Sequence, residues 1–162
     1  MFSRAFVQNP LDSQDDIRKW SRARIVMRDG KLDRIVRRRF TGSVSVAQVW
    51  YQAKFRRPEG DVCYLDYHQP GRMHGVLTLD YILSGDQATY RTFVGACHVL
   101  DAIARIRESL TIVAHVSNRS ISDRFLNRLG WESHLEHLSG RHWIKRFYDG
   151  YPPNDICRYL TR

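Results

Sequence analysis

The chain has 162 residues, 43% hydrophobic and 12% aromatic, enough for one domain with a packed core, which excludes a globally disordered chain. Lys and Arg outnumber Asp and Glu by 26 to 17, a net charge of +9, and 14 of the 26 but only 5 of the 17 fall in residues 1–57. No apolar run approaches the ~20 residues that span a bilayer, and Met1–Pro10 lacks the apolar stretch of a secretory signal, so a cytoplasmic location is expected.

In chain order, Ser13-Gln14-Asp15-Asp16 followed by Ile17 and Trp20 predicts a short helix over 14–23. Asp29-Gly30 between the apolar-polar runs 25–28 and 31–36 predicts a hairpin; a continuous basic helix is the competitor, and Gly30 counts against it. The basic residues peak at Arg37-Arg38-Arg39. The face from Arg22 to Arg39, with Trp20 and Trp50 available to stack, is a candidate phosphate-contacting surface for nucleic acid; the alternative is a solvated Arg-rich face. Ser45-Val46-Ala47-Gln48 reads as a capping box, with Val46, Val49, Trp50 and Ala53 on one helical face, although a strand fits the same residues.

Val62–His68 reads as a strand, Pro70-Gly71 as a turn, and Gly75–Leu83 as the antiparallel partner. A loop from Ser84 leads into the longest helix, Thr89–Glu108. Its buried stripe is Phe93, Cys97, Leu100, Ile103 and Ile106, and its wet side Asp101, Arg105 and Glu108. Thr111–Ser117 is an apolar β-branched strand closed by Asn118. A helix opening at Ser120–Asp123 follows, with Ile121, Phe125, Leu126 and Leu129 as its stripe, and it ends at Gly130-Trp131-Glu132. Arg141–Tyr148 is the last strand, and Asp149–Asn154 looks like a tail leaving the domain. Cys63, Cys97 and Cys157 are odd in number and form no C-x-x-C, which disfavours a disulfide framework or a zinc finger. His134, His137 and His142 lack the ligand pattern of a metal site, so no metal is expected. The chain has no Gly-x-Ser-x-Gly elbow, Walker loop or Rossmann fingerprint.

The order strand, Asn118, short helix, Gly130-Trp131, strand resembles the C-terminal half of the GNAT (Gcn5-related N-acetyltransferase) superfamily, over residues 62–148. The resemblance implies an α/β fold, a mixed and mostly antiparallel central sheet flanked by helices. The N-terminal residues depart from the family's strand-helix-helix opening. Residues 1–57 are then a basic segment packed on the same domain (helix, hairpin, helix), 58–148 the GNAT-like core and 149–162 the C-terminal tail.

It further implies an acyl-CoA-binding protein, with acetyl-CoA or another acyl-CoA as co-substrate and N-acyl transfer as its chemistry. The acceptor would be an amine, on a small molecule or a protein, and the sequence leaves the oligomeric state open. In the family a strand–loop–helix junction holds the pyrophosphate through free amides and the helix dipole. Here that role falls to Ser84, Gly85, Gln87, Thr89 and Arg91, with Asn118 at the end of the next strand, although the family's Q/R-x-x-G-x-G/A glycines are missing from this loop. Leu126 stands where the family carries a Tyr that protonates the leaving thiolate. A base must also take the amine's proton; Asp80, within an apolar strand, is the first candidate and His115 the second. The alternatives are a nucleic-acid-binding module on the basic N-terminal third, or a catalytically inactive GNAT-like interaction domain.

Overall fold

The computed structural model describes residues 4–39, 57–116 and 121–161. The helix predicted from Ser45, and Asn118, lie outside them. The described residues form one eight-stranded sheet: β1 (Phe6–Val7), β2 (Arg22–Arg28), β3 (Lys31–Arg37), β4 (Val62–His68), β5 (Val76–Ser84), β6 (Thr111–His115), β7 (Glu132–His134) and β8 (His142–Arg146). Their order across the sheet is β1-β3-β2-β4-β5-β6-β8-β7. Every neighbouring pair is antiparallel except β5 with β6, which is parallel. The fold is therefore α/β with a mixed, mostly antiparallel sheet, as expected.

Asp29 and Gly30 both take left-handed φ, 49° and 72°, which sets the right-handed twist of the β2–β3 hairpin. Helix α1 (Gln14–Lys19) is shorter than predicted: Trp20 is already extended, and its ring is driven into the core at 1% exposure. Helix α2 (Tyr90–Ile106) joins the antiparallel half of the sheet to β6, the crossover that a parallel pair requires. It lies across the sheet, where Ala96, Val99, Leu100 and Ile103 meet Ile25, Met27, Leu65, Leu77 and Ile112 in one apolar cluster. Gly95 permits that approach, because a Cβ there would stand 2.6 Å from Met27 Cε and 2.7 Å from the Tyr159 ring. Helix α3 (Asp123–Arg128) is capped by Ser122, whose side chain accepts from the Phe125 amide. It packs beside the start of α2, with the Phe93 and Phe125 rings 5.7 Å apart.

Two expectations are corrected. Asp101 is on the packed side of α2, not the wet one, because Lys145 of β8 reaches it at 2.6 Å and both are buried. Residues 149–161 return to the core instead of leaving it. Ile156 and Tyr159 are buried, Tyr151 Oη donates to Ser109 O, Asn154 Nδ2 donates to His98 O, and Leu32 N donates to Tyr159 O. Among the described residues no helix is long and apolar enough to cross a membrane.

Candidate functional site

The parallel pair β5–β6 defines the site. The two strands pair from Val76↔Thr111 to Leu79↔Ala114, and β5 then runs five residues further, to Ser84. The sheet forks there. Gly85 N donates to Val62 O, so by the antiparallel alternation Ile82 and Ser84 turn their backbone groups away from β4, toward the fork. Under α2 and α3 the fork holds a small apolar slot of about 40 Å³ lined by Leu79, Ile82, Ala114, Val116, Leu126 and Trp131. At its mouth is an open cleft of about 510 Å³, with Arg57, Ser84, Thr89, Tyr90 and Phe125 in its wall. Phe93 and Ile121 line both spaces. Tyr90 meets Phe125 edge-on, ring centroids 5.5 Å apart.

The loop opening α2 is closed on itself. Gly85 N, Asp86 N and Gln87 N donate to Val62 O, Pro58 O and Gly60 O; Ala88 N donates to Gly85 O, and Thr89 N to Asp61 Oδ1 at 2.7 Å. Gly85 is glycine for a packing reason: a Cβ would stand 2.3 Å from Gly60 O. Burial works to raise the Asp61 carboxyl, but the hydrogen bonds from Thr89 and Thr92 outweigh it and hold the group below its ordinary value. The helix-start position that would favour an external anion thus already faces a carboxylate of this chain. Thr89 Oγ1 also caps the Thr92 amide, leaving the first-turn amides of Tyr90 and Arg91 beyond the reach of intrahelical bonding.

Of the predicted cofactor residues, Ser84, Gly85 and Thr89 line the cleft, whereas Gln87 and Arg91 are not in its wall. Arg91 instead crosses the β2–β3 turn, its Cδ and Nε 3.0 Å from where a Cβ on Gly30 would be. Sequence reasoning missed Arg57, whose Nε donates to Ser84 O at 3.3 Å; standing just before Pro58-Glu59-Gly60, it carries no signal of facing a strand end. It also missed the aromatic wall of Tyr90, Phe93 and Phe125, assembled from two helices.

On the face turned away from α2, Asp80 is the extra residue of a β-bulge: Asp66 pairs with Tyr81 and Tyr67 with Leu79, leaving Asp80 between. Its carboxylate lies 2.5 Å from His68 Nδ1 and 3.9 Å from Arg22. Burial raises the Asp80 carboxyl, with His68 and Arg22 pulling the other way. Beside it Arg24 grips Asp66 through two bonds of 2.7 and 2.9 Å and reaches Tyr81 Oη at 2.5 Å. His115 ends β6 on the same face, where its ring stacks on His142, centroids 4.7 Å apart, with Gly140 against its Nε2.

Several cations of the basic run have partners within the chain. Arg24 is held by Asp66, Arg28 and Arg34 share Asp33, and Lys31 donates to Arg158 O. Among the described residues no three His, Cys, Asp or Glu side chains are grouped to hold a metal.

No family model matches the chain, and no curated protein matches it. Among solved structures it is similar to a protein from Desulfovibrio desulfuricans described as a "putative acetyltransferase of the GNAT family", at 18% identity and a TM-score of 0.38. The match covers 52% of this chain and 58% of that one, so the chain spans under two thirds of that protein's length. A likeness of that size carries nothing about chemistry.

Proposed function

We propose that this chain is a GNAT-like acyl-CoA-binding domain whose chemistry is transfer of the acyl group to an amine. The observation that supports it most is the fork between β5 and β6, an apolar slot opening into a cleft beside the start of a long helix. In this reading the acyl group and the thioester lie in the slot, and the amides of the pantetheine arm meet the backbone of Ile82 and Ser84. The residues fit the arm better than they fit a diphosphate on the 85–89 amides, which already have protein partners. The phosphates are therefore assigned to Arg57 and the first-turn amides of Tyr90 and Arg91. The thiolate leaves without help from Leu126, which has no proton to give, and takes its proton from solvent.

Isothermal titration with acetyl-CoA at moderate salt tests the reading. One-to-one heat that weakens at least fivefold in Arg57→Ala, and in Phe93→Ala, is the expected result. No heat at millimolar ligand, or binding indifferent to both substitutions, would remove the assignment.

A further inference from the structure

We infer that the cavity enclosed by α2, the end of α3, β8 and the terminal segment is a second ligand site, and that it takes a free α-amino acid with an apolar or aromatic side chain. The inference stands apart from the acyl-CoA reading. The cavity measures about 540 Å³, within the range of small-molecule sites. It is distinct from the slot, with Cys97, Asp101 and Leu129 as the wall that both spaces share.

Its most buried polar groups are Lys145 and Asp101, whose side chains are 9% and 11% exposed and meet at 2.6 Å. An ammonium has three protons to give and a carboxylate two oxygens to accept with. Among the described residues the pair's own bond, Lys145 Nζ to Asp101 Oδ2, uses one of each. The pair therefore still offers a donor and an acceptor side by side. Of the other charged groups in the wall, Arg146 is held by Glu132. Arg128, at the end of α3, and Asp149, after β8, are exposed and have no ion-pair or hydrogen-bond partner among the described residues. His98 is stacked on Tyr159, centroids 5.4 Å apart. The apolar part of the wall is the Phe147–Tyr151 pair, ring centroids 5.0 Å apart, with the Tyr151 hydroxyl committed to Ser109 O.

This set is balanced in charge: one open cation and one open anion, above a donor and an acceptor. A carboxylate alone would satisfy Arg128 but face Asp149 and the free oxygen of Asp101. An amine alone would satisfy Asp149 but meet the charges of Arg128 and Lys145. A molecule carrying both groups pairs each with its opposite and leaves neither rim residue facing a like charge. A free amino acid is the smallest such molecule that also brings a side chain to lie against Phe147 and Tyr151.

The test is titration of the full chain with L-phenylalanine, followed by calorimetry and by ¹H–¹⁵N shifts, beside two analogues that each lack one charge, 3-phenylpropionate and phenethylamine. Phenylalanine should bind one-to-one and move the amides of Gly130 and Gly150, and each analogue should bind about tenfold more weakly. Arg128→Gln and Asp149→Asn should each weaken phenylalanine by about fivefold. Both side chains are exposed, so an unchanged thermal midpoint shows that the fold is intact. No saturable binding of phenylalanine at millimolar ligand, an analogue that binds as tightly as phenylalanine, shifts confined to other amides, or indifference to both substitutions would overturn the inference. Acetyl-CoA takes no part in these measurements, so their failure leaves the acyl-CoA reading to its own titration.

Discussion

Asp61, on the turn before β4, accepts from both the backbone amide and the hydroxyl of Thr89 at the start of α2, 28 residues later. One carboxylate thereby caps the longest helix, ties two loops together and places negative charge where the proposed ligand's phosphates approach.

Asp61→Asn should consequently trade stability for affinity. Losing the charged acceptor at the helix start should cost about 1 kcal/mol in denaturant unfolding. Acetyl-CoA binding should tighten severalfold in titration, because the repulsion is gone. The wild type should show the same contribution through pH. The folded Asp61 carboxyl sits below its ordinary value of 3.8, so its stabilisation is complete above the unfolded value and fades as pH falls through the folded one. Asp61→Asn should therefore lose least relative to wild type in the most acidic buffers.

The Asp101–Lys145 pair predicts an asymmetry between single and double substitutions. Lys145→Met leaves Asp101 buried without a partner and should cost roughly 3–5 kcal/mol. Burial already pushes the Asp101 carboxyl up, with Lys145 opposing. Without Lys145 it rises further, so the variant should regain stability as pH is lowered and the carboxyl takes up its proton. Asp101→Leu with Lys145→Met should recover most of the loss in urea titration.

Adding one methyl group should have different consequences at two glycines. At Gly95 the obstacles are the ends of side chains, Met27 Cε and the Tyr159 ring, which can shift; Gly95→Ala should cost about 1–3 kcal/mol. At Gly85 the obstacle is the Gly60 carbonyl at 2.3 Å, with Pro58 O behind it at 3.1 Å. Gly85→Ala must open the loop and should give the larger fall in thermal midpoint, together with faster amide exchange at Asp86 and Gln87.

Ending the chain after Gly150 should destabilise the whole domain and not merely trim it. The cut uncovers the surfaces buried by Ile156 and Tyr159, each worth roughly 1.5–3 kcal/mol, and strands the acceptors at Ser109 O and His98 O. The expected result is a sharp loss of soluble, cooperatively unfolding protein.

Much of the architecture is readable in the sequence because it is set locally. Asp29-Gly30 specifies its hairpin, Val62–His68 is found with its predicted bounds, and Thr89 caps the helix predicted to begin there. What escapes is set by partners distant in the chain. Asp101 looks solvated until Lys145 arrives from β8, 44 residues on. Asp80 looks like an isolated base because a bulge has no reliable sequence mark and its partner, His68, is on another strand. The terminal segment misleads because Pro152-Pro153 resembles a linker, while its buried anchors, Ile156 and Tyr159, belong to a single turn of 3-10 helix, too short to stand out as an element. The cofactor loop divides similarly: Ser84, Gly85 and Thr89 reach the cleft, but Arg91 is drawn to Gly30 by a helix direction that spacing alone does not reveal.

The contact between Leu32 N and Tyr159 O, with Lys31 Nζ on Arg158 O and Thr161 Oγ1 on Leu32 O, fastens the first hairpin to the last residues of the sequence shown. During synthesis the hairpin emerges early, but the segment that covers it is still inside the ribosome when β8 appears. The apolar surface around Leu32 and Gly95 must then wait, exposed, until Tyr159 is clear of the exit tunnel, and in that interval the nascent chain is most open to chaperones and to aggregation.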